Sequence, residues 1–158
     1  MVFITGASSG LGAALARHYG RQGAVLGLCG RRAEALAHVA QGLNAHCFVA
    51  DVRDARAMQG AAREFIDSAG VPDIVVGCAG ISVGTLTEEA DDLAVFQAVM
   101  DANVMGLVHT FHPFIEPMKL AGKGVLCGIA SVAGVRGLPG GGAYSASTAA
   151  ARVFLEAL

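Results

Sequence analysis

The chain has 158 residues, a formal net charge of −2 and 54% hydrophobic residues, which suits one domain with a sizeable core. Acidic and basic residues are interleaved, so the sequence predicts no nucleic-acid partner. No uncharged run reaches the roughly 18 apolar residues that a membrane-spanning helix needs, so we expect no membrane partner. The sequence opens on a strand pattern rather than a signal peptide, and we expect a soluble, cytoplasmic protein.

Short apolar runs alternate with stretches of helical apolar spacing. The predicted strands are Val2–Thr5, Val25–Cys29, His46–Val49, Ile74–Cys78 and Val125–Ala130. The predicted helices are Leu11–Gln22, Arg32–Gln41, Ala55–Ser68, Asp92–Leu120 and Ser145–Leu158. In the long helix Asp92–Leu120, we expect a bend or a broken end at Pro113 and Pro117. This alternation predicts an α/β fold: a Rossmann-like, doubly wound parallel sheet with helices on both faces and strand order 3-2-1-4-5.

The end of the chain is unusual for a complete fold of this kind. The final predicted helix has no Gly, Asn or Pro stop signal. We therefore expect residues 1–158 to be a single Rossmann-like domain, truncated after the fifth strand and the start of the sixth helix.

A glycine-rich turn joins the first strand to the first helix. Gly6 allows a tight turn, Gly10 allows backbone to approach a pyrophosphate, and Gly12 allows the helix to lie close to the strand. The positive end of the helix would then face the anion. The candidate phosphate-binding residues are Gly6, Ser8, Ser9, Gly10, Leu11 and Gly12. The alternative is an ordinary strand–helix turn with no ligand.

Polar or glycine-rich residues also follow the later strands. Asp51-Val52 follows the third strand, Ala79-Gly80 follows the fourth, and Ser131 follows the fifth. Asn103 interrupts an apolar helical pattern, and Tyr144 comes thirteen residues after Ser131. Taken alone, such a serine is more often a cap and such a tyrosine more often packing. Together at the carboxyl ends of parallel strands, they indicate a ligand site.

Cysteines and histidines give no metal signature. Cys29, Cys47, Cys78 and Cys127 each lie in or at the end of a predicted strand, so we expect buried, reduced thiols. His109 and His112 are three residues apart, but no third ligand completes a set nearby. We expect no metal.

The combined motifs resemble the short-chain dehydrogenase/reductase family over the whole chain. The shared residues are Thr5–Gly12, Asp51, Ala79-Gly80, Asn103, Ser131 and Tyr144. The resemblance implies an oxidoreductase that interconverts a carbonyl and an alcohol with a nicotinamide dinucleotide. It also implies that Ser131 polarises the substrate oxygen, Tyr144 exchanges its proton, Asn103 anchors a water, and Asp51-Val52 touches the adenine. We expect a small-molecule carbonyl or alcohol substrate and a homo-oligomer.

The residues after the second strand predict the cofactor. Folds of this type that bind NAD place an acid there, whereas an arginine accommodates the 2′-phosphate of NADP. Here Gly30 occupies the acidic position, and Arg31 and Arg32 follow it. Because a guanidinium matches phosphate bidentately, we expect NADP, with NAD the weaker candidate. Arg32 could instead only decorate the start of the next helix.

The sequence departs from the family pattern at two places within its length. Thr148 stands where the family's Tyr-x-x-x-Lys motif has lysine, and Gly77-Cys78 replaces a pair of polar residues. Threonine supplies no positive charge to assist tyrosine ionisation. Two functions remain open: an NADP-dependent oxidoreductase with impaired activity, or a catalytically silent nucleotide-binding member that acts as a sensor or partner subunit.

Overall fold

The protein folds around one five-stranded parallel sheet, and this computed structural model describes all 158 residues. The strands are β1 (Val2–Thr5), β2 (Leu26–Gly30), β3 (Ala45–Val49), β4 (Ile74–Gly77) and β5 (Val125–Gly128). The helices are α1 (Gly10–Arg21), α2 (Ala33–Ala40), α3 (Ala55–Ala69), α4 (Asp92–Met100), α5 (Gly106–Ala121) and α6 (Gly142–Glu156). The strand order is β3-β2-β1-β4-β5. The predicted fold class and strand order are confirmed.

Helices α4 and α5 form one long helical run that differs from the prediction. The run passes through Pro113 and Pro117 and ends at Ala121, so the break expected at the prolines is wrong. Its irregular turn lies earlier, at the π-helical segment Asp101–Met105. Proline removes one backbone hydrogen bond, and the buried side chains of Phe114 and Met118 hold this part of the helix in the core.

The same run, Asp92–Ala121, is long and apolar enough to cross a membrane by length and composition alone. Core helices of soluble proteins meet the same two criteria, so length and composition alone do not identify a membrane-spanning helix. In this fold, Leu107, Phe111 and Phe114 are buried within the larger apolar cluster.

A cluster of phenylalanines fills the space between the sheet and helices α3 and α5. Phe3, on the central strand, has no exposed surface, and its ring centroid lies 4.8 Å from Phe114, 5.4 Å from Phe65 and 5.7 Å from Phe48. A second cluster, including Ile4, covers the opposite face beneath α1 and α2. Both faces of the sheet are therefore covered, as a parallel sheet requires.

The four cysteines do not share one environment. Cys29, on β2, is buried, and burial raises the pKa of its thiol to about 12. Cys78 is half-buried, while Cys47 and Cys127 are exposed. The expectation of four buried thiols is wrong because β3 and β5 are the two edges of the sheet and are covered less completely.

Replacing Phe3 tests the core directly. Phe3→Ala should lower the free energy of unfolding by about 3–5 kcal/mol, because it removes a fully buried aromatic ring and leaves a cavity. Phe96→Ala is the matched control, since Phe96 is 37% exposed, and it should cost less than about 1.5 kcal/mol. Urea unfolding followed by circular dichroism measures both, and equal losses would contradict this description of the core.

Candidate cofactor and catalytic site

The turn between β1 and α1 requires glycine for two different reasons. Gly6 and Gly10 have φ values of +66° and +54°, which side chains rarely adopt. A Cβ at Gly6 would lie 2.8 Å from the Ala79 backbone, and one at Gly12 would overlap the Gly6 carbonyl. A Cβ at Gly10 would meet nothing within 4 Å. The turn therefore packs tightly against the end of β4 while leaving open space beside Gly10.

Thr5 ties this turn to the neighbouring strand. Its hydroxyl is fully buried, donates to the Val76 carbonyl at 3.3 Å and accepts from the amides of Cys78 and Ala79 at 3.2 and 3.4 Å. These bonds satisfy backbone groups where β4 ends and fix the position of the segment that follows.

A cavity of about 550 Å³ lies over the carboxyl ends of the central strands. Its lining includes every residue predicted to bind the cofactor: Gly6, Ser8, Ser9, Gly10, Leu11, Gly12, Arg31, Arg32, Asp51, Val52, Ala79 and Gly80. Other lining residues, among them Arg53, Ile81 and Ile129, were not singled out from the sequence. The size and the open glycine turn fit an extended nucleotide.

One end of this cavity is basic and consists of Arg31, Arg32 and Arg53. The Arg32 guanidinium donates to the Ser8 and Ser9 hydroxyls at 3.1 and 2.8 Å, so it bridges α2 to the glycine turn. It is therefore part of the cavity wall and not only a surface residue of α2. Arg31 is exposed and makes no such bond to the turn.

Arg53 holds the carboxylate of Asp51. Its Nε lies 3.1 and 3.0 Å from the two Asp51 oxygens, and its Nη2 donates to Oδ2 at 2.6 Å. These hydrogen bonds, with a smaller contribution from the charge of Arg31, lower the pKa of Asp51 below its usual value. The basic end thus contains one ionised carboxylate that is already paired.

A second cavity of about 190 Å³ adjoins the first. Five residues line both: Cys78, Ala79, Gly80, Ile81 and Ile129. The second cavity is also lined by Asn103, Tyr144 and Thr148. A ligand lying along the first cavity would therefore present one end to the predicted catalytic residues.

Asn103 lies in the π-helical segment, and both N–H groups of its side-chain amide are already hydrogen-bonded. Oδ1 accepts from the Ile81 amide at 2.8 Å, while Nδ2 donates to the Ile81 carbonyl and to the Ser147 hydroxyl, both at 2.9 Å. The side chain therefore ties the loop after β4 to α6. It holds the wall of the second cavity in place and has no further donor to offer.

Ser131 caps a short turn in the segment that follows β5. Strand β5 ends at Gly128, so the serine stands three residues beyond the strand rather than at its end. Its Oγ accepts from the Ala133 amide at 3.2 Å and caps a short 3₁₀ turn. Neither lining includes Ser131, although Ala130 before it lines the second cavity. Its hydroxyl proton remains free to donate.

Thr148 brings no charge to the site. Its side chain is 5% exposed, and its hydroxyl donates back to the carbonyls of Tyr144 and Ser145 at 2.9 and 3.2 Å. The two lysines lie elsewhere, because Lys123 pairs with Asp73 before β4 and Lys119 is on the surface of α5. The second cavity therefore contains a tyrosine without a neighbouring cation.

The unusual Gly77-Cys78 pair has a packing explanation. A Cβ at Gly77 would overlap Leu107 and lie 3.4 Å from Phe111, so α5 occupies the space that a polar side chain would need. Apolar packing therefore takes the place of a polar side chain at Gly77, while Thr5 bonds to the backbone around it.

Thr85 and Ser147 were not singled out from the sequence, and both position the start of α6. Thr85 Oγ1 accepts from the Ala143 amide at 3.2 Å, one residue before Tyr144. Ser147 is fully buried and donates to the Tyr144 carbonyl at 2.9 Å. In the sequence, the only sign of Ser147 is that a hydroxyl residue follows Tyr144 by three positions, one helical turn.

Comparison with known proteins covers the whole chain. Residues 1–158 match the family model described as short chain dehydrogenase. The chain is 36% identical to dehydrogenase/reductase SDR family member 7B of Bos taurus, over 100% of this chain and 52% of that protein. It is 35% identical to sulfoacetaldehyde reductase 2 of Chromohalobacter salexigens, over 98% of this chain and 63% of that protein.

A solved structure shows the same architecture. The alcohol dehydrogenase from the archaeon Thermococcus sibiricus, complexed with 5-hydroxy-NADP, matches with a TM-score of 0.91 and 29% identity over 99% of this chain and 68% of that one. The chain thus spans between half and two thirds of the length of the two curated relatives. The family model, the relatives and the fold agree, and the chain belongs to the short-chain dehydrogenase/reductase family.

Proposed function

We propose that this protein is an NADP-dependent oxidoreductase that interconverts a carbonyl and an alcohol by hydride transfer. The observation that carries the proposal is the pair of adjoining cavities. The larger one has a glycine turn and a basic end, and the smaller one contains Tyr144. This arrangement suits a dinucleotide whose reactive end meets a small substrate.

The residues present fit a nicotinamide dinucleotide. Backbone at Gly10 faces open space, and the first turn of α1 supplies unpaired N–H groups beside it. At the other end, the exposed Arg31 would bind a 2′-phosphate, and Arg32 is engaged with Ser8 and Ser9. Since Gly30 leaves no acid for the ribose hydroxyls, these contacts support NADP over NAD.

The nicotinamide ring, when bound, would supply or accept the hydride. Tyr144 would exchange a proton with the substrate oxygen, and the free hydroxyl proton of Ser131 would stabilise the negative charge that develops there. Asn103 would hold the wall of the site through its bonds to Ile81 and Ser147, and the second lone pair of its Oδ1 would accept from a water. The lining of the second cavity by Asn103, Tyr144 and Ala130, the residue before Ser131, supports these roles.

Thr148 would weaken this chemistry without abolishing it. No cation accompanies Tyr144 in the second cavity, so the tyrosinate form receives no electrostatic help from a lysine. Activity would be low near neutral pH and would rest on orientation and hydrogen bonding alone.

The buried Thr148, which supplies no charge, favours a second candidate function. A family member whose lysine position is a buried threonine bonded to its own helix could bind nucleotide without turning over, as a sensor or partner subunit. The two functions are separated by following NADPH absorbance with a panel of carbonyl compounds. Substrate-dependent oxidation of NADPH supports the enzyme, and saturable binding without oxidation supports the sensor.

We further propose a small-molecule carbonyl or alcohol as substrate, a homo-oligomer as the assembly and the cytoplasm as the location. The second cavity has room for a small substrate. Exposed apolar residues on α4 and α6, such as Leu93 and Val153, would favour association of copies.

Arg31→Ala tests the cofactor preference. The variant should lose about 1.5–3 kcal/mol of NADP⁺ binding free energy, the value of a charge-assisted hydrogen-bonding partner, while NAD⁺ binding changes little. Isothermal titration calorimetry with both cofactors measures this. Arg17→Ala is the control, because Arg17 is an exposed residue of α1 outside the cavity. Equal affinity of the wild type for NADP⁺ and NAD⁺ would overturn the preference.

Thr148→Lys tests the proposed chemistry. A lysine here would place a cation beside Tyr144 and stabilise the tyrosinate. Turnover should therefore rise about ten- to a thousandfold, which is part of the roughly hundred- to ten-thousandfold contribution of general acid–base catalysis. Thr148→Met is the matched control, since it adds comparable length without charge. The measurement is the pH–rate profile with NADPH and a reactive carbonyl. If lysine changes neither rate nor profile while the wild type is fully active, another group performs this role.

A further inference from the structure

Arg53 is the one arginine of the basic end that is bound to a carboxylate. It makes three side-chain hydrogen bonds to Asp51, and its own amide donates to Asp51 Oδ1 at 3.0 Å. Both carboxylate oxygens therefore accept from the same residue. The geometry is a bidentate fork, which fixes the orientation of the carboxylate as well as its charge.

Asp51 is the only acidic residue that lines the first cavity. Arg31 lines the same cavity, and its positive charge helps to lower the pKa of Asp51. Arg31 is also the residue proposed above for the 2′-phosphate. Without Arg53, the ionised Asp51 would repel that phosphate and compete with it for the Arg31 guanidinium.

We propose that Arg53 determines the preference for the 2′-phosphate without touching it, by pairing with Asp51 and so leaving Arg31 available. Arg53 is thus a positioning residue of the cofactor site. This inference rests on the proposed NADP preference. It goes further because it assigns part of that preference to an ion pair and not to a contact with the ligand.

The alternative role for a third arginine in this place is direct binding of the phosphate. The structure favours the indirect role, because all the polar contacts of the Arg53 side chain go to Asp51, with Nη2 as close as 2.6 Å. Breaking the fork to reach a phosphate would leave Asp51 unpaired beside it.

The test measures the ratio of NADP⁺ to NAD⁺ affinity by calorimetry for Arg53→Ala, Asp51→Asn and the double variant. Arg53→Ala should reduce the ratio about three- to tenfold, the size expected when the Asp51 carboxylate is left unpaired at a partly exposed site. The affinity for NAD⁺ should change less than about twofold. Adding Asp51→Asn should restore the ratio to that of Asp51→Asn alone, because the competing charge is gone. A general loosening of the fold would weaken both cofactors together and would not move the ratio.

Two further variants separate charge from geometry. Arg56→Ala removes an exposed cation of α3 that does not line the cavity, and the ratio should stay within about twofold of the wild type. Arg53→Lys keeps the charge and should keep most of the preference.

The outcomes distinguish this inference from the proposed function. A wild-type ratio above one that Arg53→Ala leaves unchanged overturns the role of Arg53 and keeps the NADP preference. A ratio that falls and is not restored by Asp51→Asn also overturns it, since Arg53 would then bind the phosphate itself. A wild-type ratio of one, unchanged in Arg53→Ala, overturns both.

Discussion

The close packing of the glycine turn against the end of β4 is the constraint on which the site depends. Gly6 touches the backbone of Ala79 so closely that no side chain fits between them, and Thr5 bonds to the same segment. This contact brings the turn that faces the first cavity to within reach of the loop that lines the second. A larger residue at Gly6 would separate the two cavities and with them the two halves of the proposed chemistry.

The loop after β4 and the start of α6 are held to each other by buried hydroxyl and amide groups. Thr85 binds the first turn of α6, and Asn103 bonds to Ile81 on one side and Ser147 on the other. Buried polar groups that are fully satisfied make a site rigid, because breaking any one bond leaves a partner unpaired. The backbone position of Tyr144 is therefore well defined. No lysine or arginine lines the second cavity beside it.

The sequence predicted the fold because the fold follows from local patterns, and the residues that it assigned to a cofactor lie along one cavity. Apolar runs alternating with helices specify the parallel sheet, and the glycine turn, Gly30-Arg31 and Asp51 all follow strands whose ends meet at one edge. The pairing of Arg53 with Asp51, the return of the Thr148 hydroxyl to its own helix and the capping role of Ser131 depend on side-chain direction, which residue spacing does not determine. The two errors also have tertiary causes. Core packing carries α5 through Pro113 and Pro117, and the edge positions of β3 and β5 expose Cys47 and Cys127.

If the second cavity performs proton exchange during hydride transfer, as we propose, Tyr144 is the group that exchanges the proton. Carbonyl reduction with NADPH by the wild type and by Tyr144→Phe, with NADPH affinity measured in parallel, tests this directly. We expect measurable reduction by the wild type and a loss of at least about a hundredfold in Tyr144→Phe, the contribution of one general acid, with cofactor affinity nearly unchanged. Equal rates for the two proteins would contradict the claim, as would tight NADPH binding with no reduction of any carbonyl by the wild type or by Thr148→Lys.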